Sequence, residues 1–166
     1  MSVGRICVRE VDTARPDESV TVAAARMHQR AVGMLVVVNN ANRVIGIVTD
    51  RDLVSRVLAK GRNSTEILVC EVMTDSPTTI SEWTQIEPAL IIMRKGKFRR
   101  IPVVDHENNL VGLITLDDIL MLLSEEFSQI GRLLKCETPR AVVEEQEFSL
   151  TGTASVPRDA RLSVAD

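Results

Sequence analysis

Hydrophobic residues along the chain switch between helical spacing and short continuous runs. An early stripe at helical spacing predicts an amphipathic helix, carried by Val20, Ala23, Ala24, Met27 and Ala31. Two aliphatic runs follow, at 34–38 and 44–48, and the Asn-Asn-Ala-Asn-Arg segment between them predicts a β-hairpin. A second helical stripe comes next, with Leu53, Val54, Val57 and Leu58. With a short first strand, the predicted unit is β-α-β-β-α.

The same pattern returns 66 positions later without a gap, so the chain contains an internal repeat. Residues 7–60 recur as residues 73–126, with a linker at 61–72 that we expect to hold a short helix. The second helix stripe consists of Ile86, Ala89, Leu90 and Met93. The second hairpin joins 101–104 to 110–114, and the last stripe holds Ile119, Leu120, Leu123 and Phe127.

Neither copy alone buries both its sheet face and its helix stripes, so the copies should pack on each other. We therefore predict an α/β (α+β) fold of two tandem β-α-β-β-α repeats that form one pseudo-twofold module. The last apolar stripe continues through Ile130 and Leu134, which extends the final helix over 127–135. Residues 136–166 are polar and lack periodicity, so we expect a disordered tail.

Both repeats end in the same phrase, GIVTDRDL at 46–53 and GLITLDDI at 112–119. A Thr before a helix and an Asp three residues later are typical of a capping box, which explains a single copy. A strand-to-helix turn also presents N–H groups to an anion, and Gly46 and Gly112 would let another chain or a ligand come close to the strand. The residues alone leave capping and ligand binding both open.

Composition and charge exclude several classes of partner. Twenty Lys and Arg against 23 Asp and Glu give a net charge of −3, which argues against nucleic acid. No stretch of about 18 apolar residues could cross a bilayer, so we expect a cytoplasmic protein without a membrane partner. Three isolated cysteines favour neither a disulfide framework nor a thiolate metal site: Cys7, Cys70 and Cys136.

Catalytic arrangements are missing from the sequence. Only His28 and His106 are available, and neither has metal-ligand spacing or a nucleophile in a recognisable order. Asp117 and Asp118 are neighbours and point in different directions on a helix. We therefore expect no enzyme activity, no catalytic residue, no metal and no cofactor.

The repeat, its doubled G-h-x-T-x-x-D phrase and the segments VMTDSPTTI and RRIPVVD resemble a tandem pair of cystathionine-beta-synthase (CBS) domains, often called a Bateman module. The resemblance implies that the Thr and Asp of each phrase hold the ribose of an adenosine nucleotide: Thr49 and Asp52, then Thr115 and Asp118. It places the adenine at the first strand and the hairpin start of each repeat: Thr13, Ala14, Met34 and Leu35, then Thr79, Ile80, Arg100 and Ile101.

The phosphate of such a ligand requires cations. Arg51 follows the first Thr and suits a phosphate, whereas its counterpart in the second copy is Asp117. Arg99 and Arg100 could compensate for that aspartate. We expect unequal sites, the first favouring a nucleotide mono- or diphosphate. Alternatively, the basic run MRKGKFRR is only a solvated face.

The resemblance implies a regulatory module that senses AMP, ADP or ATP between the repeats and signals through a homodimer to an effector protein that the sequence does not identify. Three other hypotheses stay open: a sensor of S-adenosylmethionine or another adenosyl ligand, an interaction scaffold in which the turns are only caps, and a small enzyme.

Overall fold

The structure, a computed structural model, describes residues 1–137, with side chains to residue 135. The first repeat contains β1 (Thr13–Ala14), α1 (Val20–Arg30), β2 (Met34–Val38), β3 (Val44–Thr49) and α2 (Asp50–Arg56). A short strand β4 (Thr74–Asp75) precedes the second repeat, which contains β5 (Ile80–Ser81), α3 (Ile86–Gly96), β6 (Arg100–Val104), β7 (Leu110–Thr115) and α4 (Leu116–Glu137). The predicted tandem β-α-β-β-α order is confirmed.

The strands form two sheets whose registers repeat each other. The strand order is β1-β2-β3-β4 in the first sheet and β5-β6-β7 in the second. In each hairpin the first residue of one strand pairs with the threonine that ends the next: Met34 with Thr49, and Arg100 with Thr115. The pairing of the strands thus places each Thr–Asp turn beside the start of its own hairpin.

Two hydrophobic cores and a shared cluster hold these layers together. Successive residues of β2 point to opposite faces, so that Leu35 and Val37 enter the core of the first repeat while Met34 and Val36 face away from it. The outward-facing residues join Val104 of the second repeat in a shared cluster. This cluster is where the two sheets meet.

The segments that lead into the two repeats are exchanged. Residues 3–8 pack on the second repeat, where Val3 N–H donates to the carbonyl of Thr84 at 2.8 Å. Residues 69–74 pack on the first repeat, where Val69 N–H donates to the carbonyl of Glu18 at 2.9 Å. Val3 and Val69 are both fully buried. Each leading segment, as we call these stretches, therefore completes the core of the other repeat.

The leading segments also explain the two glycines of the repeated phrase. A Cβ atom on Gly46 would lie 2.5 Å from Met73 Sδ, and one on Gly112 would lie 2.7 Å from Cys7 Sγ. The close approach anticipated at these glycines is therefore made by the chain's own leading segments and not by a ligand. Burial also raises the pKa of the Cys7 thiol, which stays protonated.

The helices after the hairpins differ in length. α2 ends at Arg56, two residues before the predicted stripe ends, and a 3-10 turn over Leu58–Lys60 leaves Leu58 exposed. α4 runs to Glu137 and includes the predicted extension. Among the described residues no helix combines the length and the apolar character that a membrane span requires. The predicted tail at 136–166 falls almost wholly outside the described residues.

Candidate functional site

The turn between β3 and α2 is a capping box, as its sequence predicts. The Thr49 hydroxyl oxygen accepts from the Asp52 backbone N–H at 3.2 Å, and Asp52 Oδ2 accepts from the Thr49 N–H at 2.9 Å. The Thr49 hydroxyl also donates to Oδ2, at 2.7 Å. Capping therefore uses one of the two oxygens of Asp52.

The turn between β7 and α4 repeats this geometry. Asp118 N–H donates to the Thr115 hydroxyl oxygen at 3.1 Å, and Asp118 Oδ2 accepts from both the N–H and the hydroxyl of Thr115 at 2.8 Å. Asp118 is half-buried. Capping accounts fully for one carboxylate oxygen in each turn and leaves the role of the other to be explained.

The second oxygen distinguishes the two turns. Asp52 Oδ1 forms an ion pair with Arg56 Nη2 at 3.1 Å, one helical turn further along α2. The position equivalent to Arg56 in α4 is Leu122, which has no charge. Within the described part of the chain, nothing donates to Oδ1 of Asp118. The second turn therefore keeps an acceptor available to a ligand.

A cavity of about 240 Å³ lies between the repeats, next to the second turn. Arg100 lines it and is the β-ladder neighbour of Thr115, although neither Thr115 nor Asp118 reaches its wall. The remaining lining combines apolar and hydroxyl side chains with the carboxylate of Asp75: Ile47, Thr74, Asp75, Ser76, Pro77, Thr78, Phe98 and Pro102. The cavity thus offers apolar walls, a cation at one edge and a carboxylate beyond that cation.

The structure brings only part of the predicted adenine contacts to a surface. Four of the predicted side chains are buried in the repeat cores, so only their backbone groups are left to meet a ligand: Ala14, Leu35, Ile80 and Ile101. Arg100 does line the cavity. Thr78, Pro102 and Phe98, which the sequence reasoning missed, line it as well. The available signal was that they lie within the segments VMTDSPTTI, RRIPVVD and MRKGKFRR.

The basic residues also separate into different roles. Arg99 pairs with Asp117 at 3.1 Å, with both side chains largely exposed, so it offsets the aspartate that stands in place of Arg51. Arg51 and Arg100 are exposed, and neither side chain has a hydrogen bond or ion pair among the described residues. Both remain available to bind an anion, and Arg100 is the one beside a cavity.

A larger cavity, of about 520 Å³, lies between β1 and α1; the predicted Thr13 and Ala14 line it, and neither Thr–Asp turn does. Its cations already have partners, since Arg26 binds Glu18 at 2.7 Å and Arg30 binds Asp12 at 3.2 Å. Because Arg26 and Arg30 are paired with carboxylates and Arg15 donates to the Asn39 carbonyl at 2.6 Å, we assign the cavity no ligand. The described residues also contain no group of three or more His, Cys, Asp or Glu that could hold a metal.

Comparison with known proteins agrees with the repeat and its geometry. The chain is 34% identical over 122 residues to the uncharacterized protein MK0525 of Methanopyrus kandleri, which covers 74% of this chain and 62% of that protein. A crystal structure of CBSX2 in complex with AMP matches with 26% identity and a TM-score of 0.66, covering 75% of this chain and 96% of that one.

A second solved structure is the CBS domain pair of protein MJ0100 in complex with 5'-methylthioadenosine and S-adenosyl-L-methionine. It matches with 28% identity and a TM-score of 0.65, over 74% of this chain and 99% of that chain. The sequence model of the CBS domain matches this protein twice, at residues 3–59 and 69–125, and both matches include a leading segment. The chain belongs to the CBS domain family and carries two CBS domains.

Proposed function

We propose that the chain is a regulatory module that binds an adenine nucleotide in the cleft between its CBS repeats. One arrangement carries the proposal: Arg100 lines the cavity and pairs in the β-ladder with Thr115, whose turn holds the Asp118 carboxylate. A base, a ribose and a phosphate require an apolar wall, a hydrogen-bond acceptor and a cation. All three lie within this stretch of the molecule.

The chemistry of each group suits one part of the ligand. The available Oδ1 of Asp118 accepts from ribose hydroxyls, and a charged acceptor makes these hydrogen bonds strong. Ile47, Phe98 and Pro102 cover the faces of the adenine, while backbone groups of residues 74–78 read its edge. Arg100 binds the phosphate, and Arg99 keeps Asp117 from repelling it.

Signalling would proceed through a homodimer that passes the bound state to an effector. The ligand shifts the dimer only if it prefers one arrangement of the repeats over another. Exposed apolar side chains along α4 support association between copies: Leu120, Leu123, Phe127 and Ile130. We assign the protein no catalytic step, because the groups described above serve binding.

A second ligand class is supported by a specific comparison. The CBS pair of MJ0100, at 28% identity, is in complex with S-adenosyl-L-methionine and 5'-methylthioadenosine, both of which contain an adenosyl group and no phosphate. An adenosyl sensor of this kind would use the same turn and base wall and would not need Arg100. The affinity for a series with increasing phosphate number therefore separates the two ligands.

The test is a thermal-shift comparison of AMP, ADP, ATP and S-adenosylmethionine. A ligand that binds only the folded state raises the melting temperature by mass action. At a hundredfold excess over the dissociation constant, the free energy of unfolding rises by about 2.7 kcal/mol. We expect the nucleotides to raise it and Asp118→Ala to remove the shift. If none of the four ligands shifts the wild-type protein, the Thr–Asp turns are caps only and the protein is a scaffold.

A further inference from the structure

The two CBS repeats offer unequal binding sites. We infer that each chain binds one adenosine-type ligand, in the cleft beside Thr115 and Asp118, and that the side chains of the first repeat close its own equivalent cleft. This inference rests on the proposed function and deepens it. It reverses the order expected from the sequence, in which Arg51 favoured the first site.

The first difference is the charge state of the ribose-binding carboxylate. Asp52 is neutralised by Arg56 at 3.1 Å, whereas the position equivalent to Arg56 in the second repeat is the uncharged Leu122. A ribose hydroxyl would have to displace the guanidinium from Asp52 before it could bind. At Asp118 the same oxygen is open.

Arg56 is not easily displaced, because it is held at several points. Its Nη1 donates to the carbonyls of Val72 and Met73 at 2.6 and 2.8 Å, and its Nη2 donates to the Thr74 hydroxyl at 3.2 Å. These acceptors belong to the leading segment that crosses over the first repeat. Moving Arg56 away from Asp52 would break these bonds and leave carbonyl oxygens unpaired.

The second difference is space. Four residues that line the second cavity have apolar counterparts in the first cleft. Val11 stands for Pro77, Met34 for Arg100, Val36 for Pro102 and Leu113 for Ile47. These four counterparts pack into the shared cluster between the sheets. Met34 is 8% exposed, and Val36 is not exposed at all. An adenine ring could enter only by separating these packed side chains.

The third difference is the charge at the cleft entrance. Thr78, which lines the second cavity, has the acidic Asp12 as its counterpart, and Asp12 is already paired with Arg30 at 3.2 Å. The phosphate-binding Arg100 has the uncharged Met34 as its counterpart. At these two positions the first cleft therefore has a thioether and a carboxylate where the second has a cation and a hydroxyl, so a phosphate there would depend on Arg51 of α2.

Calorimetric titration of the full chain with AMP tests this inference. We expect one AMP per chain. Asp118→Asn keeps an oxygen for the Thr115 N–H and removes the negative charge, and we expect it to weaken binding by roughly tenfold or more. Asp52→Asn is the matched control and should leave affinity and stoichiometry unchanged. Leu122→Arg copies the Arg56 arrangement into the second repeat and should also weaken binding, with the unliganded melting temperature reporting whether each variant folds.

Each other result has a definite meaning. Two AMP per chain, or a loss of binding with Asp52→Asn and not with Asp118→Asn, would overturn the one-site inference and leave the proposed function standing. No binding of AMP together with no thermal shift by ADP, ATP or S-adenosylmethionine would overturn the proposed function, and this inference with it.

Discussion

Gly112 lies directly under Cys7: a Cβ atom added to Gly112 would be 2.7 Å from Cys7 Sγ and 2.8 Å from the backbone oxygen of Val8. For the equivalent Gly46 the three nearest atoms all belong to the Met73 side chain, with Sδ at 2.5 Å and Cγ at 3.1 Å. Each leading segment passes over a glycine of the other repeat, but the two crossings differ in whether the atoms nearest the glycine can move. Backbone is fixed by its own pairing, whereas a methionine side chain adapts.

Gly112→Ala should therefore destabilise the protein more than Gly46→Ala does. We expect about 1–3 kcal/mol for Gly112→Ala, as for an overpacked core, and less for Gly46→Ala because Met73 can change rotamer. Urea unfolding monitored by circular dichroism measures both. Gly131→Ala in α4 is the control, since nothing lies within 4 Å of an added Cβ there and helix propensity predicts a gain in stability. Equal costs at Gly46 and Gly112 would contradict the role of the Val8 backbone.

The elements of the fold follow from the sequence because they depend on local spacing. Helical stripes such as Val20 to Met27 and the aliphatic run of β2 each encode one element, and the repeat doubles the signal. The exchange of leading segments was not predictable. Val3 and Val69 have the same short-range pattern whether they pack on their own repeat or on the other one, and the choice depends on contacts distant in sequence.

The candidate site was also predictable from the sequence only in part. The Thr–Asp turns were predicted because a capping box lies within four residues. The cavity was not, since it joins Ile47 of one repeat to Pro102 of the other. The ion pair of Arg56 with Asp52 has the ordinary spacing of a helix pair, but its anchoring by the Met73 carbonyl appears only in three dimensions.

Arg56→Leu should reduce stability even without ligand. The substitution removes the hydrogen bonds to the carbonyls of Val72 and Met73 and the ion pair with Asp52. Because this arginine is partly exposed, we expect a loss of about 1–2 kcal/mol, at the lower end for hydrogen bonds to a charged group. Arg56→Lys should fall between wild type and Arg56→Leu, since lysine keeps the charge without the planar fork. Chemical denaturation at one pH gives all three values, and an unchanged unfolding midpoint for Arg56→Leu would show that the leading segment does not need this anchor.

The hydrogen bonds of the hairpin turns predict how the stability of the fold depends on pH, and a matched pair of variants tests the prediction. Asp105 Oδ1 accepts from the Glu107 and Asn109 N–H groups at 2.8 and 2.9 Å, and the hydrogen bond from Asn109 is the main cause that holds the pKa of Asp105 below its ordinary value. Such a group adds stability above its unfolded-state pKa and loses it as the pH falls through the lower folded-state pKa. Part of the acid loss of stability should therefore come from this turn.

Asp105→Asn should remove that part of the acid sensitivity while preserving the turn. The first hairpin shows why, because Asn39 Oδ1 already accepts from the Ala41 and Arg43 N–H groups at 3.0 Å each. The reciprocal change Asn39→Asp should add acid sensitivity. Melting temperatures measured from about pH 5 down to about pH 2 report the slopes. Some slope remains in Asp105→Asn, because hydrogen bonds from the Leu68 backbone and Arg62 also lower the pKa of Glu71. Parallel curves for Asp105→Asn and wild type would contradict the assignment.

The apolar face of α4 predicts how copies of the chain associate. Leu120, Leu123, Phe127 and Ile130 follow helical spacing and are 54%, 41%, 70% and 50% exposed. Residues at this spacing form one stripe, and an exposed stripe of large side chains favours association with a second helix. Phe127→Asp places a charge in the middle of the stripe, and we expect it to shift a dimer toward monomer in sedimentation velocity experiments.

Ser128→Asp is the matched control, because Ser128 is exposed on the same helix and lies outside the stripe. Both variants introduce the same residue into a helix interior, so they carry a similar cost in helix propensity. A dimer that resists Phe127→Asp would place the interface elsewhere on the module, and a monomeric wild-type chain would contradict signalling through a homodimer. Dissociation by Phe127→Asp alone would identify α4 as the element that holds the two copies together, and the AMP titration repeated on that variant would then show whether binding depends on the dimer.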